Sequence, residues 1–172
     1  WLLIMKIKKL RVFDFDDTLV KTSSFIYITN GDKKTKLTPG QYAVYKEKPG
    51  DEFDYSDFES VNNPMQIKQM TKVFKRIANK RGGKGLYILT ARSAYKPIRR
   101  YLKDIGVNMK YIFVKALGSN DPNDKAKWIE DQIDNFGYND IYFADDSQKN
   151  IDIVRNMLEN KKVKFVVQKI NY

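Results

Sequence analysis

Three carboxylates, Asp14, Asp16 and Asp17, fall within four residues where the apolar run of RVFDFDDTLV ends. Like charges crowded this closely repel, and burying them costs several kcal/mol each unless something positive offsets them. A second pair, Asp145 and Asp146, ends the apolar run of DIYFADDS, with Ser147 next to it. Thr90 and Arg92 close a third such run, YILTAR. Carboxylates from two separate segments, with no soft ligand in the chain, suit a hard oxygen-seeking cation, above all Mg²⁺. A metal-bound carboxylate, a second one two residues on, a hydroxyl and a lysine together suit phosphoryl transfer. The cation and the lysine neutralise phosphate charge, one Asp attacks phosphorus, and the other passes a proton to the leaving group.

Composition narrows the alternatives. The chain has 172 residues, 42% hydrophobic and 13% aromatic, enough for one folded domain with a core and short for two. It has no Cys, which excludes disulfides, thiolate metal sites and a cysteine nucleophile and fits a reducing cytosol. It has no His, which excludes imidazole-ligated zinc and the usual serine triads. Acid–base chemistry must rest on carboxylates, Lys or Tyr. No stretch is long and apolar enough to span a membrane, and in WLLIMKIKKLRVF the charges follow the apolar run, the reverse of a secretory signal. Residues 1 to 4 read as a non-native extension before a start at Met5, and a cytoplasmic protein is expected. The net charge of +11, from 32 basic and 21 acidic side chains, suits a polyanionic partner such as nucleic acid. A lysine-rich solvated surface would account for it equally well.

The elements that must position these residues are legible from periodicity. KKLRVFDFD reads as a buried strand. FIYITNGDKKTKL alternates about Asn30-Gly31, a hairpin signal, and Thr38 with Pro39 opens a short helix. EKPGDEFDYSDFESVNN reads as an acidic, turn-rich, solvated loop without the spacing of a calcium site. A helix is expected from an Asn63 cap with Pro64 in its first turn, through Ile67, Met70, Phe74 and Ile77, to a stop at Gly82-Gly83. GLYILT, KYIFVKAL, DIYFAD and KVKFVVQKI then read as strands, separated by helices in SAYKPIRRYLKDIG, DPNDKAKWIEDQIDNFG and QKNIDIVRNMLENK. This alternation predicts an α/β fold: a Rossmann-like three-layer sandwich around a central, mainly parallel five-stranded sheet. In such sheets ligands bind beyond the carboxyl ends of the strands, where the acidic clusters fall.

DFDDTLV resembles the first motif of the haloacid dehalogenase (HAD) superfamily of phosphatases, and YILTAR is similar to its second. IYFADDS resembles its fourth motif, and a lysine opening the preceding helix resembles the third. The resemblance covers residues 10 to 150 and implies a HAD-like domain working through an aspartyl-phosphate. It implies Asp14 as nucleophile, Asp16 as general acid and base, Thr90 as phosphate ligand, and Mg²⁺ held by Asp145 with Asp146 in support, and by Asp14 and Asp16. Lys125 and Lys127 both fit the third motif. Ile129 and Ile133 lie four and eight residues beyond Lys125, on its own helical face, so Lys125 is expected to point inward.

Residues 20 to 63 are expected to form a small cap-like insert that leaves an open site. Within the superfamily the chain is similar to the phosphatase half of bacteriophage polynucleotide kinase-phosphatases, where Arg92 matches a functional arginine. That implies a 3′-phosphatase acting on nucleic-acid ends or nucleotides, with Thr90, Arg92 and Lys125 binding substrate. Alternatives are a phosphatase for another small metabolite and an inactive basic nucleic-acid-binding module.

Overall fold

Leu10, Val12 and Phe13 of β1 (Lys9–Phe13) are fully buried, and this strand is the centre of the molecule. The computed structural model describes residues 6–171, so the expected extension at residues 1 to 4 and the start at Met5 lie outside the described residues. Beside β1 run β7 (Leu86–Thr90) and then β8 (Phe113–Ala116) on one side, and β9 (Asp140–Asp145) and then β10 (Lys164–Lys169) on the other. All four pairings are parallel, with Phe13 in register with Ile88 and Ala144. The order β10-β9-β1-β7-β8 means that the chain first builds outward from β1 and then returns to build from its other edge. The switch point therefore falls between β1 and β9, at the strand ends that carry Asp14 and Asp145.

Crossovers of one hand put the helices on opposite faces of the two half-sheets. Helices α2 (Lys68–Arg81) and α3 (Lys96–Asp104) pack Phe74, Ile98 and Leu102 against Phe13, Phe15 and Ile88. On the other face α4 (Pro122–Phe136) and α5 (Gln148–Glu159) pack Ile129, Ile151 and Val154 against Leu10, Val12 and Phe143. The α/β sandwich with its five-stranded parallel sheet is thus as the alternation implies. No described helix is long and apolar enough to cross a membrane.

The segment between β1 and α2 departs from expectation in three places. The helix does not begin at Asn63: Met65–Gln66 forms a short strand, β6, antiparallel to β2 (Val20–Lys21), and α2 starts only at Lys68. The Ile67 N–H and the Thr71 hydroxyl both donate to the Leu19 carbonyl, so pairing across the neck of the insert outweighs the cap signal of Asn63-Pro64. The acidic stretch is not a solvated loop either. Glu52–Asp54 is strand β5, paired to β3 (Ile26–Asn30), which also pairs with β4 (Lys33–Leu37). Its carboxylates serve as local acceptors: Asp57 takes the Phe25 N–H and the Tyr27 hydroxyl, and Asp51 takes the Lys48 N–H and the Tyr45 hydroxyl. The hairpin turn is Gly31-Asp32, one residue later than expected, because Asn30 remains paired with Lys33 and spends its amide on Pro49 and Asp51. Thr38 caps α1 (Pro39–Ala43) through a capping box with Gln41.

Where β7 enters the sheet, Gly85 takes φ +72° and its carbonyl accepts from the Arg11 N–H at 2.7 Å. A Cβ there would stand 2.4 Å from the Lys9 carbonyl oxygen. Gly85→Ala should therefore cost more than the roughly 1–2 kcal/mol of left-handed backbone alone and lower Tm by several degrees. A thermal melt within about a degree of wild type would contradict this close approach.

Candidate active site

The Asp14 N–H donates to the Ala144 carbonyl at 2.9 Å, so Asp14 is the last residue held by the sheet. Beyond it the chain turns sharply. The N–H groups of Thr18, Leu19 and Val20 all converge on the Phe15 carbonyl, and Asp17 takes φ +60°. With Phe15 buried as an anchor, this turn brings the Thr18 hydroxyl back to donate to Asp14 Oδ2 at 3.0 Å.

Asp145 ends the adjacent strand β9 and is completely buried. Its Oδ1 accepts from the Ser147 N–H at 2.8 Å and its Oδ2 from the Asn150 side-chain amide at 3.0 Å. Ser147 itself caps α5, its hydroxyl accepting the Asn150 N–H. Lys125 is 4% exposed and lies in the first turn of α4, which Asp121 caps. Its Nζ donates to Asp14 Oδ1 and to Asp145 Oδ2, both at 2.8 Å. Lys127 points outward to Asp131 on the helix surface, so the helical-face argument places the two lysines correctly.

Oxygen atoms of Asp14, Asp145 and Asp146 lie within 4.8 Å of one another. Burial first, then the charge of Asp145, pushes the Asp14 carboxyl well above its ordinary range, and Lys125 pulls the other way without cancelling this. The same two causes raise Asp146 to about 6. Burial alone would lower the Lys125 pKa, but Asp14 and Asp145 outweigh it and hold the ammonium above its ordinary value. One cation among three carboxylates leaves the cluster underneutralised. The donor set is oxygen only and fits a hard divalent ion.

Asp16, expected among the metal ligands, is outside this cluster. Its carboxylate is gripped by Arg92, whose Nε and Nη2 donate to Oδ2 and Oδ1 at 2.8 Å each. Arg92, expected to bind substrate, lines the cavity with its charge paired to Asp16. It is 4% exposed, it lies over the Phe58 ring at 4.7 Å, and its Nη1 donates to the carbonyls of Ser60 and Phe58 at 2.8 and 3.3 Å. Remaining donor capacity faces the Thr22 and Ser24 hydroxyls. The arginine thus ties the turn after β1 to the insert. Thr90 is buried at the tip of β7, its hydroxyl accepting the Arg92 N–H at 3.1 Å.

Above the carboxylates lies a cavity of about 1010 Å³, reached by Asp14, Lys125 and Asp146 from below and walled by Tyr42, Tyr55 and Phe58 of the insert. Sequence reading missed this aromatic wall and Asn150. The wall carried no motif, whereas Asn150 had a weak signal: a polar residue in the first turn of a helix just after Asp145. Comparison with protein-family models, curated proteins and solved structures found no match.

Two measurements check these electrostatics. Lys125→Met should lower stability by about 3–5 kcal/mol, because it strips the cation from buried carboxylates, while Lys127→Met should stay within about 0.5 kcal/mol. Equal melting temperatures would refute the buried pairing. For Asp146, raised from 3.8 to about 6, the folded protein binds a proton that the unfolded chain lacks between those values, and above them the buried charge is a cost. Without divalent ions, Asp146→Asn should therefore match wild type near pH 4 and gain in Tm as pH rises through about 6, reaching a few degrees at pH 7. Saturating Mg²⁺ should shrink or reverse the gain. A Tm difference independent of pH would contradict this reading of Asp146.

Proposed function

We propose that the chain is a Mg²⁺-dependent phosphomonoesterase of the HAD type. The observation that carries this reading is Lys125, buried between Asp14 and Asp145 at the ends of neighbouring parallel strands. A carboxylate held beside a fixed cation, at the floor of a cavity, is arranged to meet a phosphate dianion.

In this reading an Asp14 oxygen attacks phosphorus, and the bond from phosphorus to the leaving-group oxygen breaks. Thr18 and Lys125, each bonded to one Asp14 oxygen, set the direction of attack. Lys125 also offsets charge on the transferring phosphoryl group, and the Thr90 hydroxyl, buried at the tip of the neighbouring strand, would donate its proton to a phosphoryl oxygen. Asp16 delivers a proton to the leaving oxygen. It later takes one from the water that attacks phosphorus and releases Asp14. The Arg92 fork orients Asp16, and because Arg92 also holds Phe58 and Ser60, proton delivery is tied to the position of the insert. Asp14, Asp145 and Asp146 would hold Mg²⁺, which supplies further neutralisation of phosphate charge.

The leaving group is read as large and organic, on a nucleic-acid 3′-end or a nucleotide. A cavity of about 1010 Å³ with an aromatic wall exceeds what inorganic phosphate needs and offers rings for a base to stack on. What speaks against an inactive scaffold is the pairing of Lys125 with Asp14 at the floor of the cavity.

Asp14→Asn should abolish phosphate release from a 3′-phosphorylated oligonucleotide and from a mononucleotide, by roughly a thousandfold or more, with circular dichroism unchanged. Wild-type release should cease with chelator and return with Mg²⁺. Substantial turnover by the purified variant would remove Asp14 as nucleophile, and a wild type inert on every phosphomonoester tried would remove the phosphatase reading.

A further inference from the structure

The charge of +11 is not spread evenly over the molecule. Helix α2 carries six basic residues and no acidic one, and α3 carries four basic and one acidic. Across the sheet, α4 has two basic and four acidic residues, and α5 has two of each. A uniformly lysine-rich surface would not divide this way. Among the described residues every ion pair lies outside α2 and α3.

The α2 charges are also aligned. Lys68, Lys72, Arg76 and Lys80 recur every fourth residue, all four exposed, and so form one stripe. Its charges stand about 6 Å apart over about 18 Å of helix. Like charges at that spacing repel and weaken an isolated helix, so the stripe is not there for helix stability. The stripe itself lines a shallow open groove of about 720 Å³ along α2, together with Thr71, Lys75 and Asn79 of the same helix and Gln66 just before it. The Gln66 end of this groove pairs with Val20, on the segment that follows Thr18.

We propose that this groove binds the phosphodiester backbone of a nucleic-acid strand, outside the cavity. Regularly spaced, unneutralised cations along one helix match a regularly charged linear polyanion, and release of its counterions would drive the association. Lys and Arg read charge here and not sequence, so binding should tolerate any base order. The groove stands apart from the phosphatase reading, since a strand with hydroxyl ends should bind it as well as a phosphorylated one.

The test is fluorescence anisotropy with an end-labelled oligothymidylate bearing hydroxyl termini, titrated from about 50 to 200 mM salt, the range over which phosphate contacts dominate affinity. The combined variant Lys68→Gln, Lys72→Gln, Arg76→Gln, Lys80→Gln should bind at least about tenfold more weakly at low salt. Its log–log salt dependence should flatten by about 0.7 for each phosphate that is no longer neutralised. Glutamine keeps helix propensity, so its melting curve should stay close to wild type. A second variant removes the same charge elsewhere: Lys127→Gln, Lys162→Gln, Lys164→Gln, Lys169→Gln. It should retain most of the affinity. Equal weakening by both sets would mean that net charge alone attracts the strand, and would overturn the groove. So would undiminished binding by the α2 set, no binding by wild type, or α2-dependent binding only to anionic lipid vesicles. Each of these outcomes leaves the phosphatase assay unaffected, so the two readings fail separately.

Discussion

The Lys125 ammonium holds the ends of β1 and β9 together against their own charge. A parallel sheet brings the carboxyl ends of neighbouring strands side by side, and here both ends carry aspartate. Without a cation between Asp14 and Asp145, like charges a few ångströms apart would oppose the pairing that builds the core. The lysine reaches them only because α4 starts at the same edge of the sheet, with Asp121 capping it and Lys125 in its first turn. Ile129 follows on the same face and anchors the helix in the core beneath. The site and the fold therefore share one interaction, and neither is stable in this form without the other.

A second buried cation organises the opposite wall. Arg92 stands two residues beyond β7, yet its partners lie on the turn after β1 and at the far end of the insert. The insert itself is a three-stranded antiparallel sheet with a short helix, held by rings of Tyr42, Phe53 and Tyr55 packed edge to face or stacked. It joins the main domain through the β2–β6 ribbon and through Arg92. A single guanidinium thus sets both the orientation of Asp16 and the height of the aromatic wall over the carboxylates. Truncating such a buried, multiply bonded arginine would leave Asp16 facing a low dielectric without its partner.

The two faces of the sheet differ in charge as well as in packing. On the α4–α5 face, α4 carries ion pairs, from Lys127 to Asp131 and from Lys161 to Glu130 and Asp134. The α2–α3 face leaves its cations to solvent, apart from Lys75, Arg81 and Arg99, which donate to the carbonyls of Ile105, of Lys9, and of Ile112 and Met109. Lys75 and Arg99 brace the loop after α3, Arg81 ties the end of α2 to β1, and the outer stripe makes no such contact.

From the sequence by itself come the order of strands and helices, the placing of both aspartate clusters at strand ends, and the inward face of Lys125. Each of these is local: a period of two or 3.6 residues, a cap, or an offset of four along a helix states it in full. Tertiary structure alone decided that Asp16 meets Arg92, 76 residues away, and so leaves the carboxylate cluster. It also decided that Met65–Gln66 would pair with Val20–Lys21 before α2 could begin, and that Asn150 would reach Asp145. The division of charge between the two faces likewise required the strand order, because which helices share a face follows from where the chain reverses across the sheet. Periodicity says which residues point inward; it carries no information about which distant segment they will find there.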